Sequence, residues 1–378
     1  MAVRSKMVAL VAAVLAASAA LLAAPAARAE AVPKHLLPLP ATTLALMTAR
    51  NTTPGAPILM RAYKKESEIE VWKRAADGRF VLLKSFPICR WSGQLGPKLK
   101  AGDRQAPEGF YTVRPQQMNP NSRYYLSFDV GYPNAYDRAH GGTGSALMVH
   151  GTCSSAGCFA MTDRQVGEIF ALAREAFAGG QAAFQFQAFP FRMNAENLAR
   201  HRQDPNIAFW RQLKEGSDRF EATGREPLVS VAAGRYGFAP YPDPAVEALA
   251  QTRRAEEEAR VAALVGQGIE AVRTTYADGG QHPIFAALLR RGASLGDVSR
   301  PEALALAGRE VTTIPARRVR LAAAPPAPVF IPLPVIDTEP SLFARTPLAE
   351  GATRLSLVAA QRPETPLFVT APRFAALN

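Results

Sequence analysis

Histidine and cysteine are scarce in this chain, five and three among 378 residues. Four of the histidines, His35, His140, His201 and His282, are scattered without ligand spacing. A zinc site needs roughly three or four converging ligands, so no metal and no cofactor is expected. The basic excess is not gathered into a Lys/Arg-rich helix or a recognisable reader motif, which argues against nucleic acid as a partner. The run Gly141-Gly142-Thr143-Gly144 is too short and misplaced for a phosphate loop. No internal repeat is evident. What remains is ordinary for a globular protein with a real core, 48% apolar and 20% charged residues, with a high count of 31 prolines.

One long apolar run stands at the N-terminus. Arg4 and Lys6 precede Met7 to Ala24, which is broken only by Ser18, and Ala27-Arg28-Ala29 supplies small residues at the cleavage positions. Residues 1–29 read as a secretory signal, with the mature chain starting at Glu30. A run of about 18 apolar residues can just span a bilayer, so an uncleaved anchor is the alternative and the chain's one route to membrane contact. The Ala-x-Ala site and the alanine-rich run favour cleavage. No cysteine lies near Ala29, which argues against a lipoprotein. Secretion across the inner membrane into the periplasm or cell envelope is expected. Without the signal the net charge of +12 falls to +9, suited to an anionic surface such as cell wall; solubility alone is the blander account.

The remaining chain divides by pattern. Residues 30–56 form a Pro- and Thr-containing leader without clear periodicity. Residues 57–240 carry many short strand candidates separated by turn signals: Leu59–Tyr63, Ser67–Trp72, Phe80–Leu83, Phe110–Val113, Tyr124–Val130, Ala146–His150 and Phe184–Phe189. Within the last, Phe184, Phe186 and Ala188 alternate with Gln185 and Gln187, the pattern of a half-buried strand. Thr162 caps a helix over 163–178, with Gln165 completing a capping box and Val166, Ile169, Phe170, Ala173 and Phe177 at helical spacing. A second helix is expected from Asn206 to about Ala222. Residues 241–300 read as a helical segment, its long helix starting at Asp243-Pro244 and ending near Gly266. Residues 301–378, with twelve prolines and no sustained periodicity, read as a disordered or extended tail. The catalytic unit is expected to end near Pro240. The fold class is mainly β with flanking helices (α+β).

The chemistry concentrates in Met148-Val149-His150-Gly151-Thr152-Cys153-Ser154-Ser155-Ala156-Gly157-Cys158. A strand delivers a histidine, and a tight loop of small residues delivers a cysteine ahead of a helix. A thiol nucleophile needs this: the thiolate is the reactive form and an imidazole can take its proton. Small residues let backbone N–H groups turn toward a developing oxyanion, with Gly157 and Cys158 as the donors and Ser155 in the same loop. A buried cysteine beside a satisfied histidine is the structural alternative.

His-Gly-Thr followed by Ser-x-Gly-Cys resembles the signature of L,D-transpeptidase (YkuD-type) catalytic domains, and Val-His-Gly…Ser-x-Gly-Cys-x-Ala-Met-Thr-Asp is similar to their YafK-like branch. Further blocks extend the resemblance to about residue 238: Cys89 to Lys98, Gly102-Asp103 through Pro107 to Tyr111, Met118 to Ser122, Phe189 to Met193, and Asp204-Pro205-Asn206 with Phe209-Trp210. The resemblance implies a β-sandwich catalytic domain and a ping-pong reaction on peptidoglycan stem peptides. Cys158 would attack the carbonyl of the L-centre residue, His150 would shuttle the proton, and the Gly151 carbonyl would orient the imidazole, much as a carboxylate does in a Ser-His-Asp triad. Cys89 and Cys153 lie in matched blocks and could pair, leaving Cys158 free. Arg123, Tyr124 and His140 are candidate substrate contacts, with surface turn or sheet packing as the plainer reading.

The chain departs from the general family pattern, which spaces its first histidine some fourteen or more residues before the cysteine and ends Ser-His-Gly-Cys-x-Arg. Here the interval is eight, Ala156 replaces the second histidine and Ala160 the arginine. A short loop lets water reach a thioester. Three functions follow: an acyltransferase that remodels cell wall or attaches protein, with a wall-attached outer-membrane protein as a candidate second partner; an amidase or L,D-endopeptidase cutting the same type of bond; and a non-catalytic wall-binding protein.

Overall fold

The protein, here as a computed structural model, is described over residues 32–293 and 309–314. The signal read at 1–29 and the tail, apart from its six residues 309–314, lie outside the described residues. After one 3-10 turn, Lys34–Leu36, come helix α1 (Ala41–Ala49) and the strands β1 (Ile58–Tyr63), β2 (Glu68–Arg74), β3 (Phe80–Pro87), β4 (Arg90–Trp91), β5 (Gly109–Val113), β6 (Met118–Asn119) and β7 (Ser127–Asp129). Helix α2 (Ala135–Ala139), β8 (Met148–His150), β9 (Phe159–Ala160), α3 (Asp163–Ala178) and β10 (Phe184–Phe189) follow. Helices α4 (Ala195–Arg200) and α5 (Ile207–Thr223) lead to the hairpin β11 (Leu228–Ala232) and β12 (Arg235–Ala239). The last elements are α6 (Pro244–Gly266), β13 (Ala271–Tyr276), α7 (Pro283–Arg290) and β14 (Arg309–Ile314).

Two five-stranded sheets form the body, ordered β3-β2-β1-β10-β5 and β4-β9-β8-β7-β6. Both are mixed: β1 runs parallel to β10 and β8 parallel to β9, while the other neighbours are antiparallel. The sheets meet through aromatic rings. Phe128 on β7 lies 5.8 Å from Phe184 and 6.3 Å from Phe186, and Phe159 on β9 lies 5.7 Å from Phe186. This is an α+β arrangement with the sandwich at its centre.

The alternation in β10 has a different outcome from a half-buried strand, because all six positions are buried. Helix α5 and the segment after it cover the outer face of the first sheet. Arg61 on β1 donates to Ser217 Oγ at 2.8 Å and pairs with Glu221; the Phe220 ring sits 5.0 Å from Trp72, and Gln185 donates to the Pro227 carbonyl. The glutamines are therefore buried polar groups that donate through their amide nitrogens, Gln185 to Pro227 and Gln187 to Gln185 Oε1, while Gln187 Oε1 is left without a partner among the described residues. Lys64, at the end of β1, is also fully buried; it pairs with Glu108 at 2.9 Å and donates to the Gly96 and Ala106 carbonyls. Trp210 Nε1 donates to the other Glu108 oxygen, so α5 is keyed into the Gly96–Glu108 connection.

Helix α3 begins where its cap demands: Thr162 Oγ1 accepts from the Gln165 N–H, and Gln165 Oε1 accepts from the Thr162 N–H. Its apolar stripe, with Val166, Ile169, Phe170 and Ala173, is buried in the common core. Helix α1 falls in the stretch read as an aperiodic leader. Tertiary contacts rather than periodicity hold it, with Met47 buried in the core and Thr43 donating to Glu168 on α3.

The packing does not stop near residue 240. Helix α6 lies along α5, where buried Lys214 pairs with both Asp218 and Glu257. Residues 241–300, read as helical, also contain β13 and the start-to-end span of α7. Strand β13 pairs with β14, whose six residues belong to the stretch read as a disordered tail. Among the described residues no helix is long and apolar enough to cross a membrane.

Candidate functional site

Strand register brings the histidine and the free cysteine onto one face. In the parallel β8–β9 pair Val149 lies beside Phe159 and His150 beside Ala160. Alternate residues of a strand point to opposite faces. Val149 and Phe159 face the core, so Met148, His150 and Cys158 share the other face. Cys158 directly precedes β9 and so lies diagonally from His150 across one strand gap. The Met148 N–H donates to the Cys158 sulfur at 3.4 Å, and the Ala146 carbonyl lies 3.9 Å from it.

His150 is 2% exposed and its orientation is fixed from behind. Nδ1 donates to the Gly151 carbonyl at 2.5 Å. A carbonyl can only accept, so the proton resides on Nδ1 and Nε2 keeps its lone pair. The Tyr124 ring centroid stands 4.7 Å from the imidazole. A side chain at Gly151 would meet Asp163 Oδ1 at 2.5 Å and the Tyr124 carbonyl at 2.8 Å. This close approach is why the residue after His150 has to be glycine.

The intervening loop is held at several points. Thr152 and Cys153 adopt positive φ, uncommon for non-glycine residues. Asp163 Oδ1 accepts from the Thr152 N–H at 2.9 Å, and a disulfide joins Cys153 to Cys89 across a Cα separation of 5.2 Å. Cys158 is the free cysteine. The Gly157 and Cys158 N–H groups, expected from sequence to serve an oxyanion, instead donate to Ser155 Oγ at 3.2 and 3.1 Å. A serine hydroxyl two or three residues upstream is a local acceptor that competes for such amides, so in this state both are engaged within the loop.

Electrostatically the pair rests uncharged. Burial pushes the Cys158 thiol up; the Met148 N–H opposes this, Asp129 adds to it and Lys98 opposes it. Burial also pushes His150 down, against its hydrogen bond to the Gly151 carbonyl. Both shifts favour a neutral thiol and a neutral imidazole.

The other expected contacts are less concentrated. Arg123 and Tyr124 are exposed beside the site, Tyr124 through its ring contact with His150. His140 belongs elsewhere in its contacts: it stacks on Tyr136 at 4.2 Å, and Gly234 of the β11–β12 hairpin approaches its ring. Sequence reasoning passed over Asp129 and Lys98. The alternation Ser127-Phe128-Asp129, with Phe128 inward, is the signal that places Asp129 on the cleft face. A broad groove between α5 and α6, bordered by Lys214, Asp218, Arg254 and Val261, does not include Cys158 or His150. Among the described residues no three His, Cys, Asp or Glu side chains converge to hold a metal ion.

Comparison with known proteins gives this geometry a family. Residues 59–178 match the model of the L,D-transpeptidase catalytic domain (YkuD). The chain is 45% identical over 182 residues to the Escherichia coli (strain K12) protein named "Putative L,D-transpeptidase YafK", covering 48% of this chain and 74% of that relative. The protein of the same name from Escherichia coli O157:H7 gives the same figures. Among solved structures, the helical cell shape determining protein Pgp2 from Campylobacter jejuni is 14% identical, with a TM-score of 0.29, covering 62% of this chain and 82% of that one.

Proposed function

The chain belongs to the L,D-transpeptidase catalytic-domain family, and we propose that it is an exported cysteine acyltransferase acting on peptidoglycan stem peptides. The observation that carries this reading is the shared face of His150 and Cys158, with the Nε2 lone pair left available by the Nδ1–Gly151 hydrogen bond. In the first half-reaction the Cys158 S–H proton moves to His150 Nε2 as sulfur attacks the stem-peptide carbonyl. The C–N bond breaks, the departing amine takes the proton from the imidazolium, and a thioester remains on Cys158. An acceptor amine then attacks the thioester, His150 removes its proton, and sulfur leaves with that proton restored. Burial favours the neutral form of both resting groups, so the thiol has to give its proton to His150 for sulfur to act as the nucleophile.

Hydrolysis of the same bonds is a second reading, favoured by the short His150–Cys158 interval and the partial exposure of Cys158. Water then replaces the acceptor amine, giving a free carboxylate. Arg123 and Tyr124 are proposed to contact the stem peptide from the rim of the site. A wall-attached protein is the proposed second partner, supplying the acceptor amine. The test is to incubate purified sacculi and soluble stem peptides with the mature protein and weigh the fragments. New cross-links or amine adducts support transfer, and fragments gaining only water support hydrolysis. Unchanged fragments, identical to those from Cys158→Ala, would overturn both.

A further inference from the structure

The nucleophile loop receives support from a part of the chain far beyond residue 178, where the family match ends. After β13 the chain runs through Asp278-Gly279-Gly280 alongside β4. The Gly280 N–H and carbonyl exchange hydrogen bonds with Trp91 at 3.1 and 3.0 Å, and the His282 N–H donates to the Ile88 carbonyl. Gly279 makes this approach possible. At φ +75°, its absent side chain would sit 2.1 Å from the Trp91 carbonyl oxygen and 2.5 Å from Ser92 Cα. Backbone meets backbone here, and only glycine fits.

Asp278 then uses its carboxylate to gather three groups. It pairs with Arg104 at 2.5 Å and with buried Arg90 at 3.4 Å, and accepts from the Gly93 N–H at 3.2 Å. From there a short path reaches the nucleophile. Arg104 Nη2 lies 3.4 Å from the Ser155 carbonyl, and Ser92 Oγ donates to the Arg104 carbonyl at 2.7 Å. Ser92 and Ser155 hydroxyls are 3.0 Å apart, and Ser155 Oγ accepts the Cys158 N–H. The other end of the loop is covered too, since Phe285 packs on the Cys89–Cys153 disulfide. The segment 278–285 therefore touches the Cys153 end of the loop directly, through Phe285, and reaches the Ser155–Cys158 end through Arg104.

We propose that Asp278 is a positioning residue which, through Arg104 and Ser155, holds the Cys158 loop in the geometry seen here from outside the matched catalytic segment. The inference rests on the reading of Cys158 as the nucleophile. Its ion pair with half-exposed Arg104 would contribute little as a stability device, because exposed pairs are screened by solvent. The path it completes ends instead on the backbone of the reacting residue.

The experiment uses the full chain with Asp278→Asn, Arg104→Gln, the double variant, and Asp278→Glu as the conservative rescue. Cys158 is the free thiol, so its alkylation by iodoacetamide, followed by mass and across pH, reports on the loop without any substrate. Loosening the loop admits water to the thiol and moves the alkylation midpoint down toward the ordinary thiol value. A fall of about half a unit to one unit speeds neutral-pH alkylation about three- to tenfold. Turnover of stem peptide should fall about tenfold in kcat with KM within about twofold. The double variant should match the singles, since both cut one path, and Asp278→Glu should restore the wild-type midpoint. If folded Asp278→Asn and Arg104→Gln alkylate with the wild-type rate and midpoint, the proposal is wrong, whatever happens to Tm. Should Asp278→Asn fail to fold, Arg104→Gln alone decides, because that side chain is half-exposed. A wild-type protein inert toward stem peptides, but with the alkylation shift present, would sink the substrate reading and leave this one standing.

Discussion

The two sheets of the sandwich are built to different standards. Strands of the first run five to eight residues and pair along most of their length. Those of the second run two or three residues, yet this sheet carries His150, and Cys158 directly precedes its strand β9. A two-residue strand has too few ladder bonds to fix its own position. The second sheet is held instead by Phe128 and Phe159 seated on the first, by the Cys89–Cys153 link, by the Ser155 hydrogen bonds and by the Gly280–Trp91 bridge. The longer ladders and the candidate site are thus divided between layers. The layer with the candidate site borrows its rigidity.

The sharpest way to separate the layers is to remove the thiol. Cys158→Ala should lower turnover at least about a thousandfold, as loss of a nucleophile does, with an unchanged melting curve. A comparable Tm loss would show that the sulfur is structural. Breaking the shared floor comes next. Phe186 touches rings of both β7 and β9, so Phe186→Ala should cost about 3–5 kcal/mol in denaturant unfolding, while the folded fraction keeps normal Cys158 alkylation. Replacing Cys89 and Cys153 together by alanine should cost about 2–4 kcal/mol, given a sequence separation of 64, and still leave measurable turnover. Complete inactivity of that folded double variant would mean that the disulfide acts on chemistry as well as on stability. The smallest effect concerns pH. Burial disfavours the imidazolium form of His150, so the base survives to lower pH and the acid limb of kcat/KM should fall below about 6.5. An acid limb above that value would contradict the buried, neutral histidine.

The same contrast decided what was legible in the amino-acid order. Long elements with a repeating pattern were readable: β10 from its alternation, α3 from Thr162 and Gln165, α6 from Asp243-Pro244. Strands β4, β6 and β9 are too short to carry any period, and exist because the first sheet and the disulfide place them. Helix α1 has no marked stripe and is defined by Met47 and Thr43 against distant residues. The site stood out because strand, histidine, small-residue turn and cysteine follow one another within eleven positions. The destination of the Gly157 and Cys158 amides was not readable, since Ser155 competes for them locally. Asp278 was beyond reach for a simpler reason. Its partners Arg90, Gly93 and Arg104 are separated from it by 174 to 188 residues, and only the Asp278-Gly279-Gly280 turn hints that a backbone approaches closely there.

Chains are made from the N-terminus and domains fold as they emerge. Every residue of the pair His150 and Cys158 is therefore synthesised well before Asp278, Gly280 and Phe285. For that interval the loop bearing the thiol lacks the contacts that close over it, although the first sheet, complete at β10, can already form. A chain interrupted before residue 276 would keep every strand of the first sheet yet lack Asp278, Gly280 and Phe285 beside the loop that bears Cys158.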